Sequence, residues 1–171
     1  MKKTSMIAAL LTIALSVSAF CDDSSRIYLE NRTSIDEVGV IAEIIANEIL
    51  DFDTLNVIIL PLPRGSRLDG AVEQDQTRPH TYTLLINRNL SRKELTLTMS
   101  HEFIHIYQYE KEGLEIFGDI WVWNPDNLPL QQDVTWGSMT FTEYETRKFE
   151  VDAYERQWDV NKKLHKILKN R

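Results

Sequence analysis

The chain has 171 residues, a single cysteine, and 26 acidic against 19 basic side chains, for a net charge of -7. That balance repels a phosphate backbone, which argues against a general nucleic-acid binder. One cysteine excludes an intramolecular disulfide, and the length suits one domain with an ordinary core.

Residues 1–19 read as an export signal: Lys2 and Lys3 ahead of an apolar run from Met6 to Leu15, then the small-residue cleavage site Val17-Ser18-Ala19. The run is too short, and too soon followed by Asp22 and Asp23, to span a membrane. Its removal takes two lysines and no acid, moving the net charge from -7 to -9. The mature chain is therefore expected in the periplasm or outside the cell, with no stable membrane span. A lipoprotein is disfavoured, because Phe20 stands where such signals want a small residue before Cys21. Residues 20–33 are expected to form a mobile N-terminal segment, and residues 34–171 a single domain.

Ser34-Ile35-Asp36-Glu37 carries a capping signal for a helix reaching about Leu50, with Ile35, Val38, Ile41, Ile45 and Ile49 as its buried stripe. Residues 55–60, closed by Pro61 and Pro63, read as a strand. Residues 64–80 hold Gly65, Gly70 and Pro79 and read as loop with at most a fragment of strand. A second strand is expected over 81–87. His80, at its start, and His165, among lysines near the C-terminus, are expected at the surface.

Ser91-Arg92-Lys93-Glu94 is a capping box, and no glycine or proline follows until Gly113. Leu95, Met99, Phe103 and Ile106 give this helix a buried side. Within it lies His101-Glu102-Phe103-Ile104-His105, an HExxH motif. Four residues is a little over one turn, so the two imidazoles stack on one face and can grip one metal ion. Glu102 lies about 100° further round, placed to act as a general base on water rather than as a ligand. Zinc with an open position lowers the pKa of a bound water to about 7, which is hydrolytic chemistry. The competing reading is a pair of core histidines, each needing its own hydrogen bond, and a shared metal satisfies both more readily. Gln108, a turn beyond His105, is open between facing the pocket and facing solvent.

The connection over 113–141 holds Trp121, Trp123 and Trp136, with short strands expected at 120–123 and 134–136. The tryptophans suit a wall of the cleft or a cover for the core equally well. The last helix is expected from Thr142, with Glu145 as capping partner, to about Lys169, with Phe149, Ala153 and Trp158 as apolar contacts. A catalytic zinc site commonly takes a third protein ligand, often a carboxylate. Glu143, Glu145, Glu150, Asp152 and Glu155 crowd this helix, and their chemistry alone does not choose among them.

Tyr144, Arg147, Glu150 and Ala153 form a YxxRxxExxA pattern. An HExxH helix followed some tens of residues later by this pattern resembles the gluzincin branch of zinc metallopeptidases, particularly the small minigluzincin forms. The resemblance implies Glu150 as the third ligand of one Zn2+ held with His101 and His105, and Glu102 as the catalytic base. It implies an α+β, zincin-like fold, with a small mainly antiparallel sheet packed on the active-site helix and a second, ligand-bearing helix. The strand ahead of the HExxH helix would be a sheet edge to which an extended substrate adds, and Ala153 would let the helices approach closely. The implied activity is peptide-bond hydrolysis on a peptide or protein substrate. The chain departs from the pattern at Tyr154, where several gluzincins carry Asp after the Ala. The groups around the metal are thus open: Tyr144, Arg147 or Asp152 could orient Glu150 or hold an oxyanion, and Arg147 could equally form an exposed ion pair. Two alternatives stand beside the peptidase, a catalytically silent zinc-binding protein-interaction domain and an amidase acting on cell-wall peptides.

Overall fold

The computed structural model describes residues 26–117, 120–123, 132–133 and 147–171, and its first strand falls where a mobile segment is expected. β1 (Arg26–Asn31) pairs in parallel with β2 (Thr54–Pro61), Ile27 opposite Leu55 and Leu29 opposite Val57. Alternation explains it: Ile27 and Leu29 pack on the core while Tyr28 between them is exposed. From Arg26 onward the segment 20–33 therefore belongs to the domain.

Parallel neighbours need a crossover, and α1 (Asp36–Ile44) supplies it. Its start differs from the expected capping box. Ser34 takes a φ of 64° and cannot serve as N-cap; Ile35 does, with its amide bonded to Thr33 Oγ1 at 3.2 Å. The helix then widens into a π turn at Ile45–Ile49, and Ile44, Ile45 and Ala46 are all buried in succession.

β2 lies parallel to β4 (Thr81–Ile86), and β3 (Gly70–Gln74) pairs antiparallel with β4, giving the order β1-β2-β4-β3. The expected mainly antiparallel sheet is thus mixed, with more parallel than antiparallel neighbours. The chain reverses twice between β2 and β4, so those two run the same way. Leu55, Val57 and Ile59 of β2 and Tyr82, Leu84 and Ile86 of β4 point into the core, each such side chain contributing about 1.5–3 kcal/mol by leaving water. A full strand occupies part of the stretch expected as loop. One further expectation changes: β4, which leads into the HExxH helix, is flanked on both sides, and among the described residues the edge beside that helix belongs to β3.

α2 (Arg92–Lys111) begins with the expected reciprocal cap: the Glu94 amide bonds Ser91 Oγ at 3.4 Å and the Ser91 amide bonds Glu94 Oε2 at 2.8 Å. It ends at Gly113, whose φ of 68° returns the amides of Glu112 and Leu114 to the carbonyl of Gln108. Leu95, Met99, Phe103 and Ile106 are buried as their spacing predicts, and so are Thr96, Ser100, Ile104 and His105. The helix is covered on more than one side because α3 (Lys148–Asn170) packs along it through Phe149, Ala153, Val160 and Leu164. Arg147, with ψ at 145°, is the N-cap, so the helix opens at Lys148; Thr142 lies outside the described residues. Trp158, expected on the buried stripe, is exposed.

A second, antiparallel sheet joins β5 (Glu115–Phe117), β6 (Ile120–Val122) and β7 (Gln132–Asp133). Val122 is buried and Trp123 packs against the core. The strand expected at 134–136, with Trp136, lies outside the described residues. Among the described residues no helix is long and apolar enough to cross a membrane.

Candidate metal centre

His101 and His105 leave one face of α2 a turn apart, their Nε2 atoms separated by 3.0 Å. Glu150, in the first turn of α3, brings Oε2 to 3.3 Å from His101 Nε2 and Oε1 to 3.4 Å from His105 Nε2. A tetrahedral zinc with donors about 2.0–2.1 Å away holds neighbouring donors roughly 3.3 Å apart, close to each of these separations, with the two to Glu150 ending on different oxygens of its carboxylate. Glu150 and His105 are buried and His101 nearly so. Lone pairs and a carboxylate converging out of water are costly unless a cation joins them. The group can hold a metal ion.

No family model, curated protein or solved structure matches this chain.

The donor set therefore stands on its own geometry, and the two histidines are held differently. His105 donates from Nδ1 to Gln108 Oε1 at 2.8 Å. The direction of that bond is fixed by the other end of the amide, since Gln108 Nε2 donates to the Phe149 carbonyl and to Asp152 Oδ2, each at 2.8 Å. A carboxamide whose nitrogen faces two acceptors can only accept through its oxygen, so Nδ1 carries the proton and Nε2 turns its lone pair to the metal side. His101 has no such arrangement. Its Nδ1 is buried without a hydrogen-bond partner, and its ring lies against Tyr154, centroids 4.6 Å apart at 49°. The departure at Tyr154 thus has a physical counterpart: an aromatic face rests on the imidazole that it touches.

Glu102 is buried on the flank of the group. Burial raises its carboxyl pKa and the Glu150 charge adds to this, while His105 and His101 pull it down. The net rise moves it toward the range where a carboxylate serves as both proton acceptor and donor. Burial alone would lower the pKa of His105, but the hydrogen bond and charge of Glu150, with Glu102 and Gln108, together raise it to about 8. The roof over Glu102 is the start of β3: a Cβ on Gly70 would fall 2.7 Å from Glu102 Oε1 and 2.7 Å from Thr98 Cγ2.

Of the other expected residues, Asp152 meets the group only through Gln108, and is itself held by Arg156 Nη1 at 2.9 Å. Arg147 is buried at the N-cap of α3 with its guanidinium 5.8 Å from the Phe149 ring, which rules out the exposed ion pair. Tyr144 lies outside the described residues. His80 is exposed and bonds Glu110 Oε2 at 2.6 Å, and His165 is exposed with Nε2 3.4 Å from Thr96 Oγ1; neither joins the donors. Gly70 escapes the sequence reading, and Gln108 is left open by it. Gln108 could be found only as far as its helical stripe, and Gly70 had no local signal, because only the folded sheet sets it against Glu102.

Proposed function

We propose that the protein is a zinc-dependent peptidase, exported by residues 1–19, that hydrolyses peptide bonds in extended chains. The observation that carries this is the convergence of His101, His105 and Glu150, the two Nε2 atoms 3.0 Å apart and one Glu150 oxygen 3.3 Å from His101, the other 3.4 Å from His105, with a buried carboxylate outside the group beside it. His101, His105 and Glu150 would hold the ion. Zinc so held supplies Lewis acidity toward water and toward a substrate carbonyl. Glu102 takes the proton that water gives up as its oxygen bonds to the carbonyl carbon, and returns it to the amine nitrogen as the carbon–nitrogen bond breaks. Its raised pKa suits both transfers. β3, with one edge unpaired among the described residues, offers backbone groups to which an extended substrate can add as a strand. A purely structural zinc site needs no base and usually closes with a fourth protein ligand, so the presence of Glu102 favours catalysis over a silent binding domain.

The test is a metal analysis of the purified mature protein with hydrolysis of a peptide panel that includes cell-wall peptides. One zinc per chain is expected, with Glu102→Gln keeping the metal and losing about 10²–10⁴ in rate. Glu150→Ala should lose more zinc affinity than the roughly 10–100-fold typical of residues behind the ligands. Stoichiometric zinc without hydrolysis of any panel member would favour the binding domain, and cleavage confined to cell-wall peptides the amidase.

A further inference from the structure

Gln108 is fully buried and uses its whole carboxamide on the two halves of the donor group. Its oxygen takes the Nδ1 proton of His105, and its nitrogen bonds the carbonyl of Phe149, the residue immediately before Glu150, and Asp152. Its backbone carbonyl accepts the amides of Glu112 and Leu114, which pins the residue along the helix axis. Behind it, Arg156 Nη1 ties Asp152 at 2.9 Å to Glu112 at 2.8 Å, so the end of α2 and the start of α3 are bound into one network.

We propose that Gln108 is a positioning residue that decides which nitrogen of His105 is presented to the metal and, through the Phe149 carbonyl, where the Glu150 carboxylate sits. This rests on the reading of His101, His105 and Glu150 as metal donors. The amide is suited to the task by its two polarities. A carboxylate at this position would still accept from His105, but would face the Phe149 carbonyl and the Asp152 carboxylate with no hydrogen to give either. An apolar side chain would leave His105 Nδ1 without an acceptor, freeing the ring to turn or change tautomer.

The test compares the parent with Q108L, Q108E and the double variant Q108E/D152N, in which the new amide at 152 donates to the new carboxylate at 108. Zinc dissociation constants come from chelator competition. Cobalt(II)-loaded protein gives the exchangeable imidazole N–H lines by proton NMR, and thermal melts of metal-free protein report folding. Q108L and Q108E should each weaken zinc about 10–100-fold, and Q108L should lose one slowly exchanging N–H line. Q108E, which still accepts from His105, should keep that line, and Q108E/D152N should keep it and recover part of the lost affinity, the Phe149 carbonyl still lacking its donor. Should Q108L fail to fold, Q108E and the double variant carry the comparison. Parental zinc affinity in Q108L would overturn the proposal. So would a double variant that regains the parental melting temperature with no gain in zinc affinity over Q108E, since Gln108 would then be structural only. A parent that takes up no zinc would bring down the metal reading itself, and this proposal with it.

Discussion

Gly70 has no side chain at a place where one more carbon would strike the carboxylate of Glu102, the proposed base. A Cβ there would lie 2.7 Å from Glu102 Oε1 and 2.7 Å from a methyl of Thr98, so space rather than backbone conformation demands the glycine. Gly70→Ala should cost about 1–3 kcal/mol in stability, because packed surroundings must shift to admit it. It should also lower kcat/KM on the order of 10²-fold while leaving zinc content unchanged, since displacing a catalytic group by about an ångström is felt in the rate and not in the ligands. Full activity with full zinc in this variant would mean that Glu102 does not need its present seat. At this scale the sequence was readable wherever function follows from spacing within one helix. His101 and His105 pair on the page because a helical turn brings i and i+4 together. Glu150 could be chosen among its acidic neighbours only through the resemblance, and the structure places it against both imidazoles. Gly70 was out of reach, because its partner is 32 residues away along the chain and meets it only once the sheet has formed.

Two helices carry the donors, and the small side chain at Ala153, wholly buried one turn after Glu150, suits their close approach. Ala153→Leu would force α3 away from α2, at a cost of about 1–3 kcal/mol. Because the shift moves Glu150 off the histidine pair, zinc affinity should fall by an order of magnitude or more, beyond the effect on metal-free stability. Paired melting curves with and without zinc would separate the two; equal losses in both would show that the helix spacing does not govern the donors. α2 was legible in full because its capping box, its apolar spacing and its terminal glycine all agree. Strand order was not. β1 and β3 are short and only half apolar, and the parallel pairing of β1 with β2 depends on α1 crossing over the sheet, which no local pattern encodes. The expected cap at Ser34 failed for a local reason, its positive φ, and the helix opens from Ile35 without a side-chain cap bond.

For the molecule as a whole, the buried donors make the metal-free protein sensitive to pH. The pKa of His105 stands at about 8 against an ordinary 6.5, so its contribution is complete below 6.5 and is lost as the pH rises through 8. A shift of that size corresponds to about 2 kcal/mol. Chelator-treated protein should therefore lose about that much stability in urea melts between pH 6 and 9, with Glu102, also raised, acting in the same direction at lower pH. Zinc should remove the high-pH loss, because metal replaces the proton at His105, and its uptake below pH 8 should release protons measurable in a weakly buffered solution. A flat stability profile in the stripped protein would mean that His105 does not take up its proton in this setting. The donors also come from distant parts of the chain, Glu150 lying 45 residues beyond His105. Whatever ion sits between them is a reversible crosslink, and free zinc at a hundred times its dissociation constant adds about 2.7 kcal/mol to folding. Starving the surroundings of that ion would then shorten the protein's life among proteases.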